Sequence, residues 1–289
     1  MIPIPVGRLE PYSQWDQNML DRLFANTLYP TGLKFKRVDH YPKTRGCVLL
    51  IPGRYWVDQT DEITKSLKRY RWVLAMRTGD EKDSFDIDRI EHPNIRWWVQ
   101  TPRADRSYGE ARRFGVGFTP HFNELPTTPP EKDIEVFLAG QNTHERRRQA
   151  FAVLAQMDNA VSFPTKGFTE GMSPEDYRDM MVRTRVAPAP AGVFSPDSFR
   201  VYEALEAHAI PIADDISPVT DYDSTGYWHR TLGAPPFPIL TDYANLSGWS
   251  KDMLTSWPGN ANRITAWWMK LKRTYVRWLI EDLMALGAL

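Results

Sequence analysis

Short apolar runs closed by turn residues alternate along this chain with segments whose apolar positions recur at helical spacing. GCVLLIPG (Gly46–Gly53) predicts a buried strand stopped by Pro-Gly. WVLAMRTGDE (Trp72–Glu81) predicts a second strand running into a polar loop, and NIRWWVQTP (Asn94–Pro102) a third. Between the first two, Asp58–Tyr70 places Ile63 and Leu67 one turn apart and predicts a helix. Strand, helix, strand is the pattern of a parallel sheet. The polar, proline-rich Thr119–Asp133 predicts a linker. The alternation then restarts, with a strand at Ile134–Gly140 and a helix at His144–Met157. A further helix is expected at Ser173–Arg185, with Ser173 as N-cap and Asp176 three residues on. A short strand and loop, VAPAPAG, lead to a helix at Asp197–His208 and a strand at AIPIAD. Asn260–Gly287 reads as a long amphipathic helix or helix pair. The pattern therefore predicts two α/β domains and a late long helix.

Composition narrows the class. A chain of 289 residues is natural for two domains, and 42% apolar with 25% charged residues is the make-up of a soluble globular protein. The 36 basic and 36 acidic residues balance overall but not locally. Residues 1–130 hold 20 basic and 16 acidic residues, and Lys34–Arg77 alone holds 11 against 4. A positive half can attract a polyanion, and a solvated surface accounts for so small an excess equally well. Cys47 is the single cysteine, which excludes a disulfide framework and a cysteine-based metal site. MIPIPVGRLE has no basic region followed by a long apolar core, and no run of about 18 apolar residues occurs. A cytoplasmic, monomeric protein without a membrane segment is expected.

The stretch SPDSFRVYEALEAHAIPIADD (Ser195–Asp215) carries the most chemistry. Gly192 allows close backbone approach, and Ser195, Asp197 or Ser198 can cap the helix that follows. Free N–H groups and the helix dipole favour an anion there, and Arg200 can add a charge-assisted bond to phosphate. Glu203 follows Ser198 and Arg200 along the helix and can accept two hydrogen bonds from a ribose diol. Each residue alone is more often plain helix surface.

Together they resemble the nucleotide-sugar motif of exostosin-type glycosyltransferases. The matching positions are Ser198, Arg200, Glu203, Ala204 and Leu205, then Ile210, Pro211 and Ile212. VFLAGQNTHERRRQAF is similar to that family's strand, small-residue loop and Arg-rich helix start, with Gly140 in the loop. The family's cysteine is replaced by Ala187 or Ala189, and its glycine before Ile-Pro by His208-Ala209. The resemblance covers Ile134–Asp215 and reaches the N-terminal half only through GDE (Gly79–Glu81) and RFGVGFTP (Arg113–Pro120). It implies an α/β GT-B fold: two Rossmann-like domains facing a cleft, with a C-terminal helix crossing back. The expected domains are 1–125 for the acceptor and 126–259 for the nucleotide-sugar donor, with helix 260–289 packing on the first.

Sugar transfer needs a stabilised leaving diphosphate, a deprotonated acceptor hydroxyl and a positioned sugar. GT-B enzymes usually work without metal, so no cofactor is expected. Arg200 and one of Arg146, Arg147 or Arg148 are the candidate cations, with Arg146 placed in the donor site. A base from the end of an N-domain strand points to Asp80 or Glu81, with Asp58 as another candidate. A retaining enzyme would need none. Asp86/Asp88 and Asp221/Asp223 have the spacing of a metal-binding pair, a spacing frequent by chance in an acidic chain. The six histidines lack metal-ligand spacing, and His208 reads as packed or exposed at a helix end. Aromatic and basic residues interleave in GRYW (Gly53–Trp56), KRYRW (Lys68–Trp72) and RWW (Arg96–Trp98). Such faces stack on bases or sugars, so Arg54, Tyr55 and Trp56 are candidate acceptor contacts. Core packing is the other reading of Trp72, Trp97 and Trp98. With the local positive excess, the expected acceptor is a 5-hydroxymethylated pyrimidine in double-stranded DNA, as for phage enzymes of GT-B fold that extrude the base. A glycan or protein hydroxyl is the rival acceptor. A non-catalytic nucleotide- or carbohydrate-binding protein is the rival class.

Overall fold

The computed structural model describes residues 3–8, 14–38, 41–52, 60–79, 87–128, 130–167 and 170–289. The chain forms two compact units. The first is Met1–Val116 with Arg230–Leu232 and Lys270–Leu289, and the second is Gly117–His229 with Gly233–Met269. Both are α/β, and each is built on one all-parallel sheet.

The first unit contains β1 (Ile4–Arg8), α1 (Gln14–Phe24), β2 (Phe35–Arg37), β3 (Gly46–Pro52), α2 (Thr60–Leu67), β4 (Trp72–Thr78), β5 (Ile95–Gln100) and β6 (Arg112–Phe114). The sheet order is β2-β1-β3-β4-β5-β6. β3 and β4 are buried along almost their whole length, which explains why both read as continuous apolar runs. Cys47, Leu49 and Ile51 of β3 join Ile63 and Leu67 of α2 in one core cluster. The C-terminal residues of the chain belong to this unit. The Trp98 indole donates to Asp282 Oδ2 at 2.8 Å, and Asn94 Nδ2 to the Leu286 carbonyl at 3.2 Å.

The second unit contains β7 (Ile134–Gln141), α3 (Glu145–Leu154), β8 (Ala160–Thr165), α4 (Pro174–Val182), β9 (Thr184–Ala189), α5 (Phe199–Glu206), β10 (Ile210–Asp214), the first half of α6 (Tyr227–Leu232), β11 (Ile239–Leu240) and α7 (Leu246–Thr255). Its order is β11-β10-β9-β7-β8. In both sheets the first strand lies inside, the second on one side and the third on the other. The strand order therefore reverses between β1 and β3, and again between β7 and β9. Ligands of open α/β sheets bind outside the carboxyl ends of the strands at such a reversal.

The late helix is a single one, α8 (Trp257–Ala285). Ser173 caps α4 as expected, accepting the Asp176 N–H at 3.0 Å. The expected linker is packed at its start, where Thr119 and Phe122 are buried and Pro120 starts a 3-10 turn (Pro120–Phe122). From Asn123 to Thr128 it is largely exposed, without helix or strand. No described helix is long and apolar enough to cross a membrane.

Candidate functional site

The ladder of the second sheet opens where the strand order reverses. β7 pairs with β8 through Gln141↔Thr165, and β9 with β10 through Ala189↔Ala213. β7 pairs with β9 only at Ile134↔Thr184 and Val136↔Val186. The next position of β9 in that series is Pro188, which has no N–H to continue the ladder. The hydrogen-bonded pairing of the two central strands ends before it.

A side chain takes up a carbonyl beyond that end. Arg200 Nε, from the first turn of α5, donates to the Ala139 carbonyl of β7 at 2.9 Å. Gly140 makes room for it. Its φ is +144°, and a Cβ there would run into the Arg200 guanidinium. Gly140 and Arg200, both donor-site candidates from the sequence, are thus brought together. The Nη nitrogens of Arg200 have no hydrogen-bond partner among the described residues, and the side chain is half-buried.

The β9–α5 loop folds tightly on itself. A Cβ at Gly192 would collide with the Asp197 carbonyl oxygen. Ser195, fully buried, accepts the Asp197 N–H at 3.2 Å. Asp197 Oδ1 accepts the Ser198 N–H at 3.0 Å, and Oδ2 accepts the Tyr227 hydroxyl at 2.7 Å. Ser198 is the N-cap of α5 by backbone geometry, but its hydroxyl makes no capping bond. Gly192, Ser195 and Ser198 therefore shape the loop from within.

Arg146 is committed to a protein partner. Its Nε and Nη2 grip Asp214 Oδ2 and Oδ1 at 2.9 and 2.6 Å. The fully buried Asp214, at the carboxyl end of β10, also accepts the Tyr243 hydroxyl at 3.0 Å and the Ile216 N–H at 3.0 Å. Arg147 is buried and donates to the carbonyls of Ala191 and Gln141 at 3.2 and 3.3 Å. Arg148 is exposed and pairs with Glu145 at 2.9 Å. His144, the N-cap of α3, also meets the Ala191 carbonyl, through Nε2 at 3.2 Å, while its Nδ1 is buried without a partner. Burial, then the Arg147 charge, pushes the His144 pKa down to about 4. Among these candidates, Arg200 and the exposed Arg148 leave both Nη nitrogens without a hydrogen-bond partner among the described residues, and of the two Arg200 is the half-buried one.

Glu203 sits deeper than a surface position. Only 4% exposed, its carboxylate accepts the Thr119 hydroxyl at 2.7 Å and the Tyr177 hydroxyl at 2.9 Å. Burial raises its pKa, opposed by the Thr119 bond, the Arg200 charge and the Tyr177 bond. The Glu203 carboxylate, expected to accept hydrogen bonds from a ribose diol, is met here by two protein hydroxyls. Replacing it would strand two hydroxyls and cost stability as well as any ligand contact.

Asp80, Glu81, Arg54, Tyr55, Trp56, Asp58 and Asp86 lie outside the described residues, although the strands they follow, β3 and β4, are described. The aromatics of the later basic stretches are packed. The Tyr70 hydroxyl donates to the Pro42 carbonyl at 3.0 Å, a Cβ on Gly46 would strike the Trp72 ring, and Trp97 and Trp98 are buried. Arg69 stacks over Tyr41 at 4.5 Å. Asp223 accepts the Thr225 N–H at 3.0 Å, and no three His, Cys, Asp or Glu residues gather as a metal-binding group among the described residues. His208 has φ +56° just past α5, and its Nδ1 lies 3.4 Å from the Thr265 hydroxyl.

Sequence reasoning missed Asp214, Tyr243, Tyr177 and Thr119. An aspartate ending the buried run IPIAD was a usable signal, because strand ends face the site. Thr119 and Tyr177 lie too far along the chain from Glu203 for any spacing rule.

No family model and no curated protein matches the chain. An α1,3-fucosyltransferase of known crystal structure is similar over 94% of this chain and 90% of that one, at 9% identity and a TM-score of 0.46.

Proposed function

We propose that the protein is a glycosyltransferase that takes a sugar from a nucleoside-diphosphate sugar, a UDP-sugar in the first instance, and places it on a hydroxyl. The observation that carries this reading is Arg200. Its guanidinium is threaded over Gly140 at the strand reversal of the second sheet, with Nη donors left unused. Those donors, next to the start of α5, suit the oxyanions of a leaving diphosphate. The buried ion pair of Arg146 with Asp214 holds the surroundings in place rather than meeting the ligand. On this reading the two units are the two domains of a GT-B enzyme, and the reaction uses no metal. Asp80 or Glu81 is the base if the configuration inverts.

For the acceptor, the basic excess of Lys34–Arg77 supports a hydroxymethylated pyrimidine in DNA. The internal packing of Tyr70, Trp72, Trp97 and Trp98 favours a glycan or protein hydroxyl instead, because those rings are not available for stacking.

Calorimetry with UDP, GDP and ADP tests the donor half. Binding of at least one diphosphate is expected, and no heat with any at millimolar concentration would refute the reading. Slow hydrolysis of the matching nucleotide sugar without acceptor would separate an enzyme from a binding protein.

A further inference from the structure

The first sheet also has a buried polar feature near its strand reversal. Gln17, on α1, is 3% exposed, and its Nε2 donates to the Thr78 hydroxyl oxygen at 3.0 Å. Thr78 is the last residue of β4 and is 2% exposed. Gln17 Oε1 is buried with no hydrogen-bond partner. The Thr78 hydroxyl proton has no acceptor among the described residues. Turning the amide over changes nothing essential, since Thr78 would then donate to Oε1 and leave both amide N–H groups and a hydroxyl lone pair. Either way this bonded pair leaves two donors and an acceptor unused, side by side.

Among the described residues, hydrogen-bonded amides and hydroxyls frame the pair. Gly79, with φ +133°, donates its N–H to Gln100 Oε1 at 2.8 Å. Gln100 Nε2 donates to the Gly115 carbonyl at 3.1 Å, and the Thr101 hydroxyl to the Gly79 carbonyl at 3.1 Å. Arg77 is turned towards the Gln100 carbonyl at 2.8 Å and the Tyr108 ring at 5.3 Å. Arg103 is held by Asp105 at 2.6 Å. A phosphate or carboxylate, which only accepts, would satisfy the donors and be repelled by the acceptor. An alcohol can accept from both donors and donate to the acceptor.

We propose that Gln17 and Thr78 bind an uncharged hydroxyl of a carbohydrate. That this carbohydrate is the sugar acceptor rests on the glycosyltransferase reading, whereas the binding itself does not. The acceptor Oε1, beside the two donors, selects a hydroxyl over an anion.

Saturation-transfer NMR on the full chain tests the site, with the methyl glycosides of glucose, galactose, mannose, xylose and fucose and a hydroxymethylcytosine oligonucleotide as probes. At least one glycoside should bind the wild type. Thr78→Val, which keeps the shape and removes the hydroxyl, should weaken it about tenfold or more, and Thr78→Ser should retain it. Gln17→Leu should match Thr78→Val. If that variant fails to fold, the two threonine variants decide alone. Nucleoside-diphosphate binding, measured on the same samples, should be unchanged. Equal glycoside affinity in wild type and Thr78→Val would overturn the proposal, as would binding of no glycoside or of the oligonucleotide alone. Loss of diphosphate binding in the wild type would instead refute the glycosyltransferase reading and leave the NMR result to judge the hydroxyl site.

Discussion

The carboxyl edges of the two sheets make an instructive pair, because the strand order around each reversal is the same and the chemistry is not. In the first sheet, Gln17, Thr78, Gln100 and Thr101 form a neutral network tied largely to backbone groups. In the second, Arg146, Arg200, Asp214 and Glu203 bring charges to the corresponding place. Parallel topology decides where a ligand goes, and the residues on the strand ends and first helical turns decide what it is. The second edge also opens its ladder at Pro188 and fills the gap with Arg200. On the readings proposed above, one edge suits an anion and the other an alcohol.

The contrast can be broken most forcefully at Asp214. Asp214→Ala leaves Arg146 without its carboxylate and Tyr243 without its acceptor, and should cost about 3–5 kcal/mol in urea unfolding. Wild-type stability would mean that the charged edge is not held by this pair. Arg200→Ala should leave folding largely intact and weaken diphosphate binding about ten- to hundred-fold by calorimetry. Gly140→Ala should produce the same loss with Arg200 still present, because the Cβ displaces the guanidinium. Acid is the next lever. His144 falls from 6.5 to about 4 on folding, so between those values the unfolded chain binds a proton that the folded chain does not. Stability should therefore drop as pH falls through this window, by about 1–2 kcal/mol after allowing for partial exposure, and His144→Asn should flatten the slope. Thermal unfolding from pH 7 to 4 measures it. The smallest effect is expected at Arg148, whose exposed pair with Glu145 contributes under about 0.5 kcal/mol. Arg148→Ala should alter neither stability nor nucleotide affinity measurably, and a large loss would show that the wrong arginine of the run has been assigned to the surface.

Much of this was legible from periodicity. β3, β4, β5, β7 and β10 are near-continuous apolar runs, and buried parallel strands have that pattern. β1 and β8 were not legible, because Pro5 and Gly7 interrupt one and Pro164 the other. β8 tolerates its proline as an edge strand. At the site, Gly140 and Arg200 were each legible as candidates from the resemblance, but their contact was not. The roles of Arg146 and Glu203 did not follow. Their partners Asp214, Thr119 and Tyr177 are supplied by folding across long sequence separations, which no local pattern encodes.

The most direct test of the central claim is a crystal structure with the nucleoside diphosphate that binds best in calorimetry. The account predicts the diphosphate at the β7–β9 reversal, with the Arg200 Nη atoms within hydrogen-bond distance of a phosphate oxygen and Arg146 still on Asp214. A diphosphate bound anywhere else, or bound there without touching Arg200, would contradict it.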